Sequence, residues 1–287
     1  MHPKSLLRIL FLSLALPLVA AAGKPAECEA AFDTAVALVR DEAQAHRLIL
    51  LGEKHATAEI PRLVTALVAD FSAREPVVLA LEFPRSEQAA LDRYLASDGG
   101  AADRAALTSG GYWQVSGDQH DGRRNEDVLD MFERLRVIRS AQRDVRLLPF
   151  DVAPGAKRDH HQRDHAMADY LREQFAANPT ARFVVLAGNV HAMIRKPGYA
   201  PAEMQQPMGA YLVDLDPWSV NISAREGQFW GCMGGRCAAK DETPAQWESG
   251  PARDGDAYHF QLVLPRFSVA RLLGRDQLPV TSGAAVD

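Results

Sequence analysis

The stretch LILLGEKHATAEI, Leu48 to Ile60, decides how this chain is read. Its apolar run from Leu48 to Leu51 suits a strand buried on both faces; past Gly52 it releases Glu53, Lys54, His55 and, four residues on, Glu59. A buried strand that ends in carboxylates and an imidazole delivers ionisable groups to one edge of a sheet. The same grammar recurs downstream. PVVLALEFP (76–84) carries Glu82 near its end, VRLLPFDV (145–152) carries Asp151, and RFVVLAGNVHA (182–192) carries Asn189 and His191. Between these runs lie TAEIPRLVTALVADFSA, RSEQAALDRYLAS and RDHHQRDHAMADYLREQFAAN, whose apolar residues recur three and four apart and predict helices. Parallel strands need crossovers of this kind. The expectation is an α/β fold with a mostly parallel central sheet flanked by helices on both faces, and with a fifth strand at GAYLVDLDP (209–217).

Two regions break the alternation. The first is an insertion over about 96–142: a glycine-rich polar part through Asn125 with Tyr112 and Trp113 embedded, then the amphipathic EDVLDMFERLRVIRSAQ. Insertions of this length in a compact domain tend to be functional, so a helical and looped lid is expected, against a plain surface excursion. The second is the C-terminal part, where SVNISAREGQFWG and DAYHFQLVLPRFS alternate and predict antiparallel strands.

The first residues carry Lys4 and Arg8, a short apolar run broken by Pro17, and Ala20 to Ala22. That order reads as a secretory signal peptide over 1–22, leaving a single α/β domain over 23–287, periplasmic or secreted. The apolar run is shorter than the ~18 or more residues expected of a membrane span. Losing Lys4 and Arg8 takes the formal charge from −5 to −7, which disfavours nucleic acid and anionic lipid as partners. A small-molecule or peptide substrate, and a homodimer, remain compatible with the chain. In an oxidising compartment the glycine-rich CMGGRC favours a Cys232–Cys237 disulfide, with Cys28 left over.

Ligands of open parallel sheets bind beyond the carboxyl ends of the strands. Glu53, His55, Glu82 and His191 are therefore the candidate catalytic residues, with Glu59, Asp151, Arg163 and Asn189 in support. Any one of them is equally suited to capping the following helix. Together they form a set of buried carboxylates that needs a cation, a paired base or a catalytic purpose. In this set His55 is the general base, held by Glu53 and Glu82, while His191 stabilises charge or donates a proton. Glu59, pointing back from the first helical turn, would orient the imidazole. Arg163 would clamp a carboxylate or neutralise the cluster. The same His55, Glu82 and His191 suit a divalent metal as ligands, and haem is the alternative cofactor, lodged against Tyr112, Trp113, Met193, Tyr199 and the segment 201–208. A nucleophile elbow, a P-loop and a dinucleotide fingerprint are absent from the sequence, which leaves activated water as the nucleophile.

LGEKH, LALEFP, RDHAMADYL and VVLAGNVHA, in that order over roughly 47–217, resemble the superfamily that joins erythromycin esterases, ChaN-type haem-binding proteins and Tiki-like metalloproteases. The esterase branch implies that Glu53, His55, Glu82 and His191 surround a reaction centre where histidine activates water. The Tiki-like branch implies a divalent metal at the corresponding places, and the ChaN branch implies haem. The single residue between Glu53 and His55 is closer to the ChaN and Tiki spacing than to the esterase one. A hydrolase of ester, amide or peptide bonds is the first expectation, and a non-catalytic haem or iron carrier the second.

Overall fold

The computed structural model describes residues 23–114, 120–152, 160–198, 200, 202, 205–233 and 236–274. The signal peptide expected over 1–22, Tyr199 and part of 201–208 lie outside the described residues. Helix α1 (Gly23–Ala43) precedes β1 (Leu48–Glu53), α2 (Glu59–Phe71), β2 (Val77–Pro84), α3 (Gln88–Ala96), α4 (Ala101–Thr108), α5 (Glu126–Ser140), β3 (Val145–Asp151), α6 (His160–Ala177) and β4 (Arg182–Gly188). Then follow β5 (Trp218–Ala224), β6 (Gln228–Met233), β7 (Arg236–Asp241), β8 (Gly250–Pro251) and β9 (Phe260–Leu264).

The central sheet runs β3-β2-β4-β1-β5-β9-β8, and every neighbouring pair in it is parallel except β8 with β9. Alternate residues of each strand feed opposite layers. Ile49, Leu51, Leu79, Leu81, Val184 and Leu186 pack with α2 and α5; Leu48, Leu50, Val78, Ala80, Phe183 and Val185 pack with Met167 and Leu171 of α6. Both faces are covered, which is why the strands read as continuous apolar runs instead of alternating ones. The expected strand boundaries hold within a residue or so for β1, β2 and β3, and β4 ends at Gly188, where a turn carries Asn189 and His191.

Two expectations are revised. GAYLVDLDP is not a strand: Met208–Leu215 is a 3-10 helix, with Met208, Gly209 and Leu212 buried at helical spacing. The run FQLVL pairs parallel with β5, so the sheet gains its last long strand in the common direction. Antiparallel pairing is kept in the β6–β7 hairpin and in β8 against β9. The hairpin joins Cys232 to Cys237 in the expected disulfide. Within the insertion Trp113 is buried and α5 packs along α2.

Candidate active site

Strand β1 ends at Glu53, and the chain then turns sharply through Ala56, which holds a left-handed φ of 55°. The turn brings His55 back beside Glu53, with His55 Nδ1 2.9 Å from Glu53 Oε1. That contact assigns the proton to Nδ1 and leaves Nε2 as the acceptor. Nε2 stands 3.9 Å from Glu82 Oε2, beyond hydrogen-bond reach. Room for this ring depends on Gly188 at the end of β4, where a Cβ would lie 3.1 Å from His55 Nε2 and 3.4 Å from Glu82 Oε2.

Glu82 is the centre of a second, denser group. It is buried, its Oε2 accepts from Gly188 N at 2.7 Å, and its Oε1 meets Arg163 at 2.5 Å and Arg123 at 3.1 Å. Arg163 also binds both oxygens of Asp151, at 2.9 and 2.7 Å. Burial pushes the Glu82 carboxyl up, but Arg123, His191, His55 and Arg163 outweigh it and hold it well below the usual range. Glu82 is therefore a fixed negative charge locked between guanidinium groups.

His191 completes this wall. Its Nδ1 lies 2.6 Å from Asp164 Oδ1, which also accepts from Met208 N at 2.8 Å, and its Nε2 lies 2.8 Å from Arg163 Nη1 and 3.6 Å from Glu82 Oε1. Two influences compete here. Burial disfavours the imidazolium, while Glu82 and Asp164 raise the pKa above its ordinary value. The Arg163 contact, in contrast, requires a lone pair on Nε2. We assign the neutral Nδ1–H form to this arrangement, because two donors 2.8 Å apart would repel; a proton on Nε2 would turn the ring's partner from Arg163 to Glu82.

The structure thus brings Glu53, His55, Glu82 and His191 into one crevice, with Asp151 and Arg163 beside them. Glu59 takes another part. Its Oε2 accepts from Ser268 N at 2.8 Å, and the His55 ring takes its orientation from Glu53. Asn189 shapes the turn: its side chain accepts from Val190 N, and its backbone N–H donates to Glu53 O. Arg123 is the residue the sequence reading missed. It comes from the insertion, where DGRRN carries no periodic signal, and Gly122 at φ 89° lets the chain pass Ala56, whose Cβ would lie 2.4 Å from a Cβ placed there.

The β6–β7 hairpin braces both sides. Trp230 Nε1 donates to His120 O at 2.6 Å beside Arg123, while Lys54, between Glu53 and His55, pairs with buried Glu242 at 2.6 Å and lies over the Phe229 ring.

The metal expectation concerned His55, Glu82 and His191. Among the described residues no three His, Cys, Asp or Glu side chains gather to hold a metal ion. The physical reason is the guanidinium of Arg163, which sits between Glu82 and His191 and supplies the positive charge there. Of the residues named from sequence for a haem slot, Trp113, Met193 and Met208 are packed in the two cores.

Residues 39–123 match the family described as haem-binding uptake, Tiki superfamily, ChaN. The matched segment of the ChaN family spans Glu53, His55, Glu82 and Arg123, and the resemblance read from the sequence is borne out. An erythromycin esterase mutant in its open conformation superposes with a TM-score of 0.56 at 11% identity, over 79% of this chain and 93% of its own. A succinoglycan biosynthesis protein superposes at 0.55 and 8% identity over 86% and 99% of the two chains. ChaN of Campylobacter jejuni, in a structure of cofacial heme binding, superposes at 0.40 and 14% identity over 74% and 91%. No curated protein matches the chain in sequence. Among the described residues no helix is long and apolar enough to cross a membrane.

Proposed function

We propose that the protein is an exported hydrolase that adds water to a carboxylic ester, amide or peptide bond. One observation carries this reading: the Glu53–His55 pair, with Nδ1 held at 2.9 Å and Nε2 open to the crevice. It is the arrangement in which a carboxylate fixes the tautomer of an imidazole and stabilises the imidazolium that forms. As a water oxygen attacks the carbonyl carbon, His55 Nε2 takes its proton; when the bond to the leaving group breaks, the same proton passes to the departing oxygen or nitrogen. The oxyanion formed between these steps faces the guanidinium wall of Arg123 and Arg163. His191 belongs to that wall as the acceptor that positions Arg163, in line with the charge-stabilising one of the two roles named for it from sequence.

The test is His55→Gln assayed on short-chain aryl esters and on peptides. A rate loss of about 10²- to 10⁴-fold is expected for removal of a general base. Wild-type turnover in that variant would end the assignment. The fold family favours a second reading, haem binding, because the match over residues 39–123 is to a haem-binding uptake family. Haem would then lie outside the packed residues first named for it. Titration with haemin separates the two, since an absent Soret shift at micromolar protein rejects the carrier.

A further inference from the structure

Beneath Glu53 and Glu82 lies a small cavity with about 20 Å³ of space for the centres of water-sized molecules, walled by Thr57, Arg123, Met131 and Leu186 as well as the two glutamates. Thr57 is 1% exposed, and its hydroxyl has no hydrogen-bond partner among the described residues. Arg123, which also lines the cavity, has a buried Nε with no hydrogen-bond partner among the described residues, the Asp121 carboxylate lying 3.9 Å away. Buried polar groups are nearly always satisfied, and an unmet hydroxyl is costly to keep. A water needs roughly 10–15 Å³ and two to four polar partners, both of which are met here. Glu53 adds a third group: its Oε1 holds His55, leaving Oε2 to accept.

We propose that an internal water occupies this cavity, accepting from Arg123 Nε and bonding Thr57 Oγ1 and Glu53 Oε2, so that Thr57 is a positioning residue for the Glu53–His55 pair. The water sits behind the carboxylate and is distinct from the one consumed in hydrolysis. Its effect on turnover rests on the hydrolase reading; its presence does not.

High-resolution crystal structures and melting curves of the wild type, Thr57→Val and Thr57→Ser test it. Valine keeps the branched shape and removes the hydroxyl, while serine keeps the hydroxyl. An ordered water in the wild type and in Thr57→Ser, lost or displaced in Thr57→Val, is expected. Thr57→Val should melt about 2–4 °C lower, the shift that a modest loss gives in a chain of this size. On a hydrolysed substrate kcat should fall several-fold with KM unchanged, and serine should restore it. A dry wild-type cavity would overturn the site, as would a higher melting point in Thr57→Val, because deleting an unmet hydroxyl stabilises. An unchanged kcat in Thr57→Val would overturn the positioning role. If the water is present but His55→Gln hydrolyses as the wild type does, the hydrolase reading fails and the water site stands.

Discussion

The two walls of the crevice are built on opposite plans. On one side Glu53 and His55 share one hydrogen bond, and among the described residues Nε2 of the imidazole has no partner within bonding distance. On the other, Glu82, Asp151, Arg123, Arg163, Asp164 and His191 spend their polar groups on one another, at 2.5–3.6 Å. A group that must gain and lose a proton needs slack, whereas a group that supplies a field must stay where it is. On the hydrolase reading proposed above, the difference separates chemistry from electrostatics, and it makes the two walls separable by mutation.

The sharpest break is Arg163→Met. It removes the shared partner of Glu82 and Asp151 and leaves buried carboxylates short of positive charge, so unfolding stability should fall by about 3–5 kcal/mol. Urea denaturation measures it. His55→Gln, on the open wall, should stay within ~0.5 kcal/mol of the wild type in the same experiment, as for substitutions that break no buried network. Equal losses in the two variants would merge the walls into a single structural network.

Acid titration probes the same contrast without a substitution. Glu82 is held below the ordinary carboxyl value of 4.5, so its folded state binds fewer protons than the unfolded chain. Its contribution to stability is therefore complete above pH 4.5 and is lost as pH falls from there toward the lowered folded value. Asp121, also lowered because Arg123 and Arg124 outweigh its burial, adds in the same direction. Denaturation curves collected from pH 6 downward should show this fall, and Arg163→Met should flatten it. A parallel fall in both proteins would place the acid-sensitive charge elsewhere.

A smaller effect is expected where the walls meet. In Gly188→Ala the new Cβ would press on His55 Nε2 at 3.1 Å and on Glu82 Oε2 at 3.4 Å. Overpacking of this kind costs roughly 1–3 kcal/mol, and here it falls on the open wall, because the ring can move and the ionic group cannot. Activity should drop more than stability. The reverse result would show that the ionic wall yields first.

How much of this was readable in the chain follows from the range of the interactions. The strands were legible because burial on both faces leaves uninterrupted apolar runs, and each run ends where its ionisable residue stands. Local pattern misled at 208–215, where Met208, Gly209 and Leu212 face inward at helical spacing within a sequence that also alternates. Arg163 was visible as a charge near a helix start, although its triple engagement with Glu82, Asp151 and His191 was not. Arg123 and the Thr57 cavity were hidden for a common reason: both depend on the path by which the insertion crosses back over β1 and β2, and no short-range periodicity encodes that path. The polar text of 96–125 suggested a lid, against a plain excursion, and gave no sign that Trp113 inside it is anchored by a hydrogen bond to buried Glu87 at 3.0 Å.

Glu59 offers the mildest test, because it supports the open wall only through the backbone. Its carboxylate accepts from Ser268 N, and around that bond Ala58 N donates to Ser268 O and Ala270 N to Ala56 O. The segment near 268–272 continues to Asn125 and Glu126, so it ties the His55 turn to the Arg123 segment. Glu59→Gln keeps an acceptor oxygen but loses its charge, and should cost under about 1 kcal/mol; Glu59→Ala leaves Ser268 N unmet and should cost about 1–2 kcal/mol. Turnover should change little in either, since Glu53 alone orients the ring. A catalytic loss in Glu59→Gln as deep as that of His55→Gln, with stability intact, would return Glu59 to the reaction centre and remove the distinction between a residue that holds the turn and one that holds the imidazole.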